Sequence, residues 1–244
     1  MAVAGLLAIG PWLAPDARAQ DHGNPDLFWR ATAYLWWANI DGVNYVGDVS
    51  VVVGDTTQLH ASFAGDIQVG KGRFRGIARF STTSLANSGP LEGEGVPDGT
   101  EVDYDFSWTM AELLATWQVG RFESSHALKL SGGLRYVHQG QKLLNGPQPG
   151  EFTKNWVEPV GGAEYFVEMG GPFWAAVDGT IGGFGIGSKF TWQVGAELGI
   201  RVAGPVHLSL NYDYLQTEVG DKDSDYRWDE GVSQGWFFGV MIKQ

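Results

Sequence analysis

From Val206 to Tyr214 the chain alternates apolar and polar residues without a break. Val206, Leu208, Leu210, Tyr212 and Tyr214 fall on one face, and His207, Ser209, Asn211 and Asp213 on the other. A period of two is a β-strand between two opposite environments. Two architectures satisfy it. A soluble barrel or sandwich turns the apolar face inward. A transmembrane barrel turns it toward lipid and keeps the polar face in the lumen. The choice between them governs what the chain can do.

Ten segments reach the ~9–11 residues that a tilted strand needs to cross a bilayer. They are Phe28–Trp37, Gln58–Gly70, Phe74–Ser84, Glu101–Gly120, Ala127–Lys142, Trp156–Met169, Phe173–Ile181, Lys189–Val202, Val206–Glu218 and Gly231–Lys243. Their connections alternate between short turns (Lys71-Gly72-Arg73, the turn around Glu123, Gly170-Gly171-Pro172, Ala203-Gly204-Pro205) and longer loops at 38–57, 85–100, 143–155 and 219–230, with a short Gly-rich link at 182–188. Short turns at one end and long loops at the other are the outer-membrane arrangement. An even count of ten requires residues 43–53 to form a hairpin or extension within the first loop. Counts of eight or twelve are the alternatives. In the Glu101–Gly120 strand the apolar residues change parity, from Val102, Tyr104 and Phe106 to Leu113, Ala115 and Trp117. This predicts a β-bulge near Trp108.

The polar face carries charges of both signs. Its acids are Asp66, Glu112, Glu158, Glu164, Asp178, Glu197 and Asp213, and its bases are Arg75, Arg79, Lys129, Arg135 and Arg201. Ser62, Gly133, Gly162, Gly195 and Gly199 lie among them. A buried charge needs a partner, and small residues leave room for long side chains from facing strands. These twelve charges are the candidate lumen lining. They form either a selectivity lining for a narrow pore or a charge-paired network that plugs the barrel. The aromatic residues Trp29, Tyr34, Trp36, Trp37, Trp117, Trp174, Tyr212, Tyr214 and Trp236 lie near strand ends, as expected for interfacial girdles. The fold expected is therefore an all-β, closed antiparallel transmembrane β-barrel.

Composition narrows the function. Net charge is −12 among 244 residues, so no basic surface awaits nucleic acid. There is no Cys, which excludes disulfides and thiolate metal ligation. Residues 1–19 read as a secretion signal: an apolar run, then Ala17-Arg18-Ala19 as a cleavage pattern. Residues 20–244 then form the barrel. The run at 182–187 lacks the Lys-Ser/Thr pair and following helix of a phosphate loop. Gly suits a tight turn there, with Phe184 free to fold over the barrel mouth. Asp221, Asp223 and Asp225 share the odd spacing of a calcium loop, without its Gly and Glu. Together with Glu92, Glu94, Asp98, Asp229 and Glu230 they read as a solvated acidic surface. Of the five His (His22, His60, His126, His138 and His207), His138 lies at the outer end of a strand. Catalysis there requires a carboxylate and a nucleophile from other strands. No cofactor or metal site is expected.

Tyr34-Leu35-Trp36, Asp41-Gly42, Lys71-Gly72-Arg73-Phe74, Trp156-Val157-Glu158-Pro159 and the stretch from Gly182 to Gln193 (GGFGIGSKFTWQ) together resemble a family of uncharacterised proteobacterial outer-membrane β-barrel proteins. The resemblance runs from about Phe28 to Lys243, and the 182–193 stretch is its most specific part. It implies export, insertion by the barrel-assembly machinery, and contact with outer-membrane lipid and lipopolysaccharide. It implies no enzymatic activity. Family members tend to end on Phe, whereas this chain ends Ile242-Lys243-Gln244, and its Gln58–Gly70 strand is shorter. The reading that follows is a non-enzymatic outer-membrane barrel, structural or a narrow small-solute pore. The alternatives are an outer-membrane enzyme at the outer rim and a soluble periplasmic ligand-binding barrel.

Overall fold

The computed structural model describes residues 27–46, 49–53, 61–93, 96–122, 125–145, 150–220 and 226–243. Residues 1–19, expected to be a secretion signal, and His22, His60, Glu94, Asp221, Asp223 and Asp225 lie outside the described residues. The strands are β1 (Leu27–Val46), β2 (Val49–Val53), β3 (Ala61–Lys71), β4 (Phe74–Gly93), β5 (Glu101–Phe122), β6 (His126–Leu143), β7 (Gly150–Gly170), β8 (Phe173–Gly182), β9 (Phe190–Ala203), β10 (Val206–Val219) and β11 (Tyr226–Lys243). Every pairing is antiparallel between neighbours, and β1 pairs with β11 to close the ring.

Among the described residues, eleven strands fill ten columns. β3 pairs with β1 at Leu27–Trp37 and with β4 at Phe74–Thr82. β2 occupies the same gap further along, opposite Gly42–Val46 of β1 and Leu91–Gly93 of β4. Residues 43–46 and 49–53 thus pair with each other as an extension at the loop end, and among the described residues the lower cylinder has an even number of strands.

The apolar faces point outward. Leu35, Phe63, Ile67, Phe80, Leu113, Leu130, Leu134, Val157, Val177, Val194, Leu198, Phe238 and Val240 are all exposed. This excludes the soluble barrel, whose apolar faces would be buried. A belt of aliphatic and aromatic side chains around a closed cylinder is the surface of a transmembrane barrel. Leu198 lies near the middle of β9 and is 56% exposed. Leu198→Arg is expected to cost about 2–4 kcal/mol of folding into vesicles, the depth-dependent penalty for a cation on the lipid face. An unchanged unfolding midpoint would place Leu198 outside the hydrocarbon.

Above this belt the polarity inverts. On β5 the outward residues change from Ala111, Leu113, Ala115 and Trp117 to Glu101, Asp103 and Asp105. The inward ones change from Glu112 and Thr116 to Val102, Tyr104, Phe106 and Trp108, each 1% exposed. The ladder to β4 and β6 runs through Trp108 without a shift. The bulge expected near Trp108 is therefore absent, and the strand's irregularity lies at Gln118/Gly120 instead. The parity of the apolar residues changes because the surroundings change: lipid lies outside the lower strand and water outside the upper strand. For the same reason the segments expected as long loops are largely strand. β1, β4, β7 and β11 all continue beyond the belt.

A real bulge lies in β11. The register shifts where Thr217 pairs with Gly231 and Val219 with Trp228, and Glu230 adopts φ 51°. The extra residue re-aims the strand and turns Trp228 fully inward. Gly42 and Gly231 make room for its ring: a Cβ on either would lie 2.4 or 2.6 Å from the indole.

Candidate functional site

The inside of the barrel is built in two layers. The upper layer is apolar. Ile40, Val51, Val53, Leu85, Leu91, Val102, Tyr104, Phe106, Trp108, Val137, Leu143, Trp156, Leu215, Val219 and Trp228 form one buried cluster. At its centre the Trp108 ring meets Trp228 at 5.0 Å and Trp156 at 5.9 Å, both edge-on. Such pairs add to area burial. Asn44 donates to Gln141 at the edge of this layer, and the Tyr226 hydroxyl donates to Gln139.

The lower layer is ionic, centred on Arg135 of β6. Its Nε donates to Glu112 Oε1 at 2.7 Å and its Nη1 to Glu158 Oε1 at 3.2 Å. Its Nη2 donates to Thr180 Oγ1 at 3.1 Å and Gln193 Oε1 at 2.8 Å. The ladder sets Arg135 directly opposite both Glu112 and Glu158, so adjacent strands supply both carboxylates. Arg79 approaches Glu112 from the other side at 3.6 Å. The second oxygen of Glu158 accepts from Trp156 Nε1 at 3.3 Å, from Thr191 Oγ1 at 3.1 Å and from the Ser188 hydroxyl. Thr191 continues to Thr217 at 2.8 Å.

This network gives two of the sequence stretches that carry the resemblance a common role. Trp156 and Glu158 come from one, and Ser188, Thr191 and Gln193 from the other. The Gly-rich link is shaped to bring Ser188 inward. Gly183, Gly185 and Gly187 all have positive φ, and a Cβ at Gly187 would lie 2.3 Å from the Val157 carbonyl oxygen. Phe184 does not fold over the mouth as expected. It turns outward and, with Ile181, Trp192 and Pro159, lines a groove on the lipid-facing side.

The remaining candidate charges form smaller groups. Arg30 Nη2 contacts Asp66 Oδ1 at 3.0 Å, and the Tyr34 hydroxyl reaches Asp66 Oδ2 at 3.2 Å and Glu197 Oε1 at 3.4 Å. Lys129 pairs with Glu164. Asp178 and Asp213 face each other across Gly195, their register partner, where any Cβ would strike both carboxylates. Asn211 donates to Asp213 at 2.9 Å. Arg75 lies over the Phe28 ring at 4.2 Å, and Arg201 lies on the lumen face at the turn end of β9. Arg30, Tyr34, Asp66, Arg79, Asp178 and Asp213 help to line a cavity of about 110 Å³, room for several waters.

Arg30 was absent from the candidates read in the sequence, as was Lys243. Their signal was parity: Arg30 shares it with Thr32, and Lys243 with Ser233, both lumen-facing. Tyr34, Trp36 and Trp174 were expected in the girdles but point inward, and Trp36 and Trp174 are buried. Gly235, Gly239 and Gly199 vacate the space these rings fill. Trp37, Trp117 and Trp236 do lie on the outward surface. His138 Nδ1 lies 2.6 Å from Asn155 Oδ1, which also accepts from Tyr136. Its register partner on the other side is Thr109, bonded to Thr82. These residues form an outward polar row at the upper edge of the apolar belt, and the partner that His138 meets is an amide rather than the carboxylate a rim enzyme calls for.

No protein-family model matches the chain, and no curated protein matches it. Solved structures share its architecture at low identity. The transport unit of the autotransporter AIDA-I from Escherichia coli is 9% identical, with 95% of this chain and 92% of that one covered and a TM-score of 0.43. The translocator domain of the autotransporter NalP from Neisseria meningitidis is 10% identical over 90% and 89%, with a TM-score of 0.41. Ail, the attachment invasion locus protein of Yersinia pestis, is 10% identical over 89% and 98%, with a TM-score of 0.40. Likenesses this distant carry no argument about activity. The barrel assignment rests on the closed ladder and the outward apolar belt.

Proposed function

We propose that this protein is a non-enzymatic, non-conducting outer-membrane barrel of the proteobacterial family its motifs resemble. Its lumen is a plug, and its strand extensions stand beyond the membrane at the loop end. The observation that carries this reading is the double closure of the lumen. The Trp108–Trp156–Trp228 layer is aromatic and buried. In the Arg135 layer beneath it, Arg135 and Glu112 are 1% exposed and Glu158 is 0% exposed. A ten-column barrel is only slightly wider than eight-stranded barrels, whose interiors side chains largely fill. A conducting pore requires a continuous wet path, and two filled layers oppose one. On this reading the partners are outer-membrane lipid and lipopolysaccharide around the belt and the barrel-assembly machinery during insertion. Residues 1–19 direct export and are removed near Ala19.

Planar-bilayer recording of the mature protein tests the plug. The wild type is expected to insert without steady conductance, and the Arg135→Ala/Trp228→Ala double variant to conduct. Steady low-voltage current through the wild type would restore the narrow pore.

A further inference from the structure

At the short-turn end of the lumen, bases occupy inward positions on four consecutive columns. These are Arg201 on β9, His207 on β10, Lys243 on β11 and Arg30 on β1. The ladder sets Arg201 directly opposite His207, and Arg30 directly opposite Lys243. Arg30 and Lys243 are like charges directly opposite on one face, an arrangement that opposes the pairing of their strands. Lys243 also lies in the field of Arg75 and Lys129, and His207 in that of Lys243, Arg201 and Arg30. Some of this charge is answered within the protein. Arg30 holds Asp66, Lys129 holds Glu164, and Glu168 stands exposed on the rim toward Lys243. Arg201 and Lys243 form no ion pair among the described residues. His207 is only 4% exposed, yet its Nδ1 has no hydrogen-bond partner among the described residues. A buried ring nitrogen without a partner is an exception in folded proteins.

We propose that this mouth is a binding site for a phosphate-type oxyanion entering the lumen from the turn end. The Arg201 guanidinium, the Lys243 ammonium and the His207 imidazole are its ligands. The donor set suits that chemistry. A guanidinium presents a planar fork of N–H groups and an ammonium a mobile point charge. An imidazole N–H adds a third direction around a tetrahedral anion. The anion answers the charges of Arg201 and Lys243, which have no ion-pair partner among the described residues, and gives the orphaned ring nitrogen its bond. A phosphate of this kind could belong to a free anion or to a lipid headgroup. The bases face the lumen, whereas Val202, Leu208 and Ile242 at the same height face outward and are exposed. That placement favours the free anion. The site goes beyond the plug reading, and a conducting wild type would leave it untouched.

The test is calorimetric titration of inorganic phosphate into the refolded mature protein in nonionic, lipid-free micelles, beside Arg201→Gln/Lys243→Gln. Saturable binding is expected in the wild type, weakened about tenfold for each charge removed, the factor an ordinary charge-assisted bond carries. A second reading needs no variant: the His207 imidazole resonances of the wild type are expected to shift with the same saturation. Absence of saturable binding in micelles, equal binding by the double variant, or silent His207 resonances would each overturn the site. So would phosphate recognition that appears only on anionic-lipid vesicles and survives the double substitution, since that assigns it to the lipid face.

Discussion

Arg135→Ala is expected to destabilise the barrel by about 3–5 kcal/mol, the usual result of breaking a buried ion pair by removing one partner. The loss comes from what remains rather than from what leaves. Glu112 and Glu158 stay fully buried on the neighbouring strands, and Glu112 keeps only the longer Arg79 contact at 3.6 Å. Thr180 and Gln193 lose their donor as well. The measurement is equilibrium unfolding in vesicles, with band shift on unheated gels as the folding check. A triple variant carrying Arg135→Met, Glu112→Gln and Glu158→Gln is expected to recover most of the loss, because it removes the charges together. Arg135→Ala within about 0.5 kcal/mol of wild type, the ordinary effect of a surface substitution, would mean that water reaches the network and that the lumen is wet at this level.

Trp228→Ala is the second large effect, at about 3–5 kcal/mol for an aromatic-to-Ala truncation in a packed core. The ring is fully buried between Phe106 and Trp108. Two glycines and a bulge exist around it, so the backbone cannot collapse to refill the space. The same cost should appear by another route in Gly231→Val, where the added side chain must displace the indole. Unfolding midpoints of both variants measure this. If either matches the wild type, the upper cluster is not a packed core and the extension beyond the belt is held by its ladder alone.

These predictions separate what is local from what is not. Strand alternation was legible in the sequence because inside and outside differ residue by residue. It sufficed to group Leu130 and Leu198 with the apolar faces and Arg135 and Glu158 with the polar ones, and the pattern of turns and loops pointed from there to a transmembrane barrel. Parity also carried Arg30 and Lys243, which a reading of isolated charges passed over. What alternation could not reveal is the height at which its meaning reverses. Val102, Tyr104 and Phe106 have the same pattern whether they face lipid or a core, and only the ladder through Trp108 shows that the backbone keeps its register while the medium outside changes. The inward rings of Trp36 and Trp174 were hidden for a similar reason: the glycines that admit them, Gly235 and Gly199, lie on other strands. The contacts inside the lumen join residues far apart along the chain. Arg135 meets Gln193, and Glu158 meets Ser188, because ring closure and register place them together. The sequence by itself determined which side of each strand is polar, since that is a short-range property of neighbouring side chains. Only the tertiary structure decided which charges pair and which rings meet inside the barrel, since both depend on strands brought together across its width.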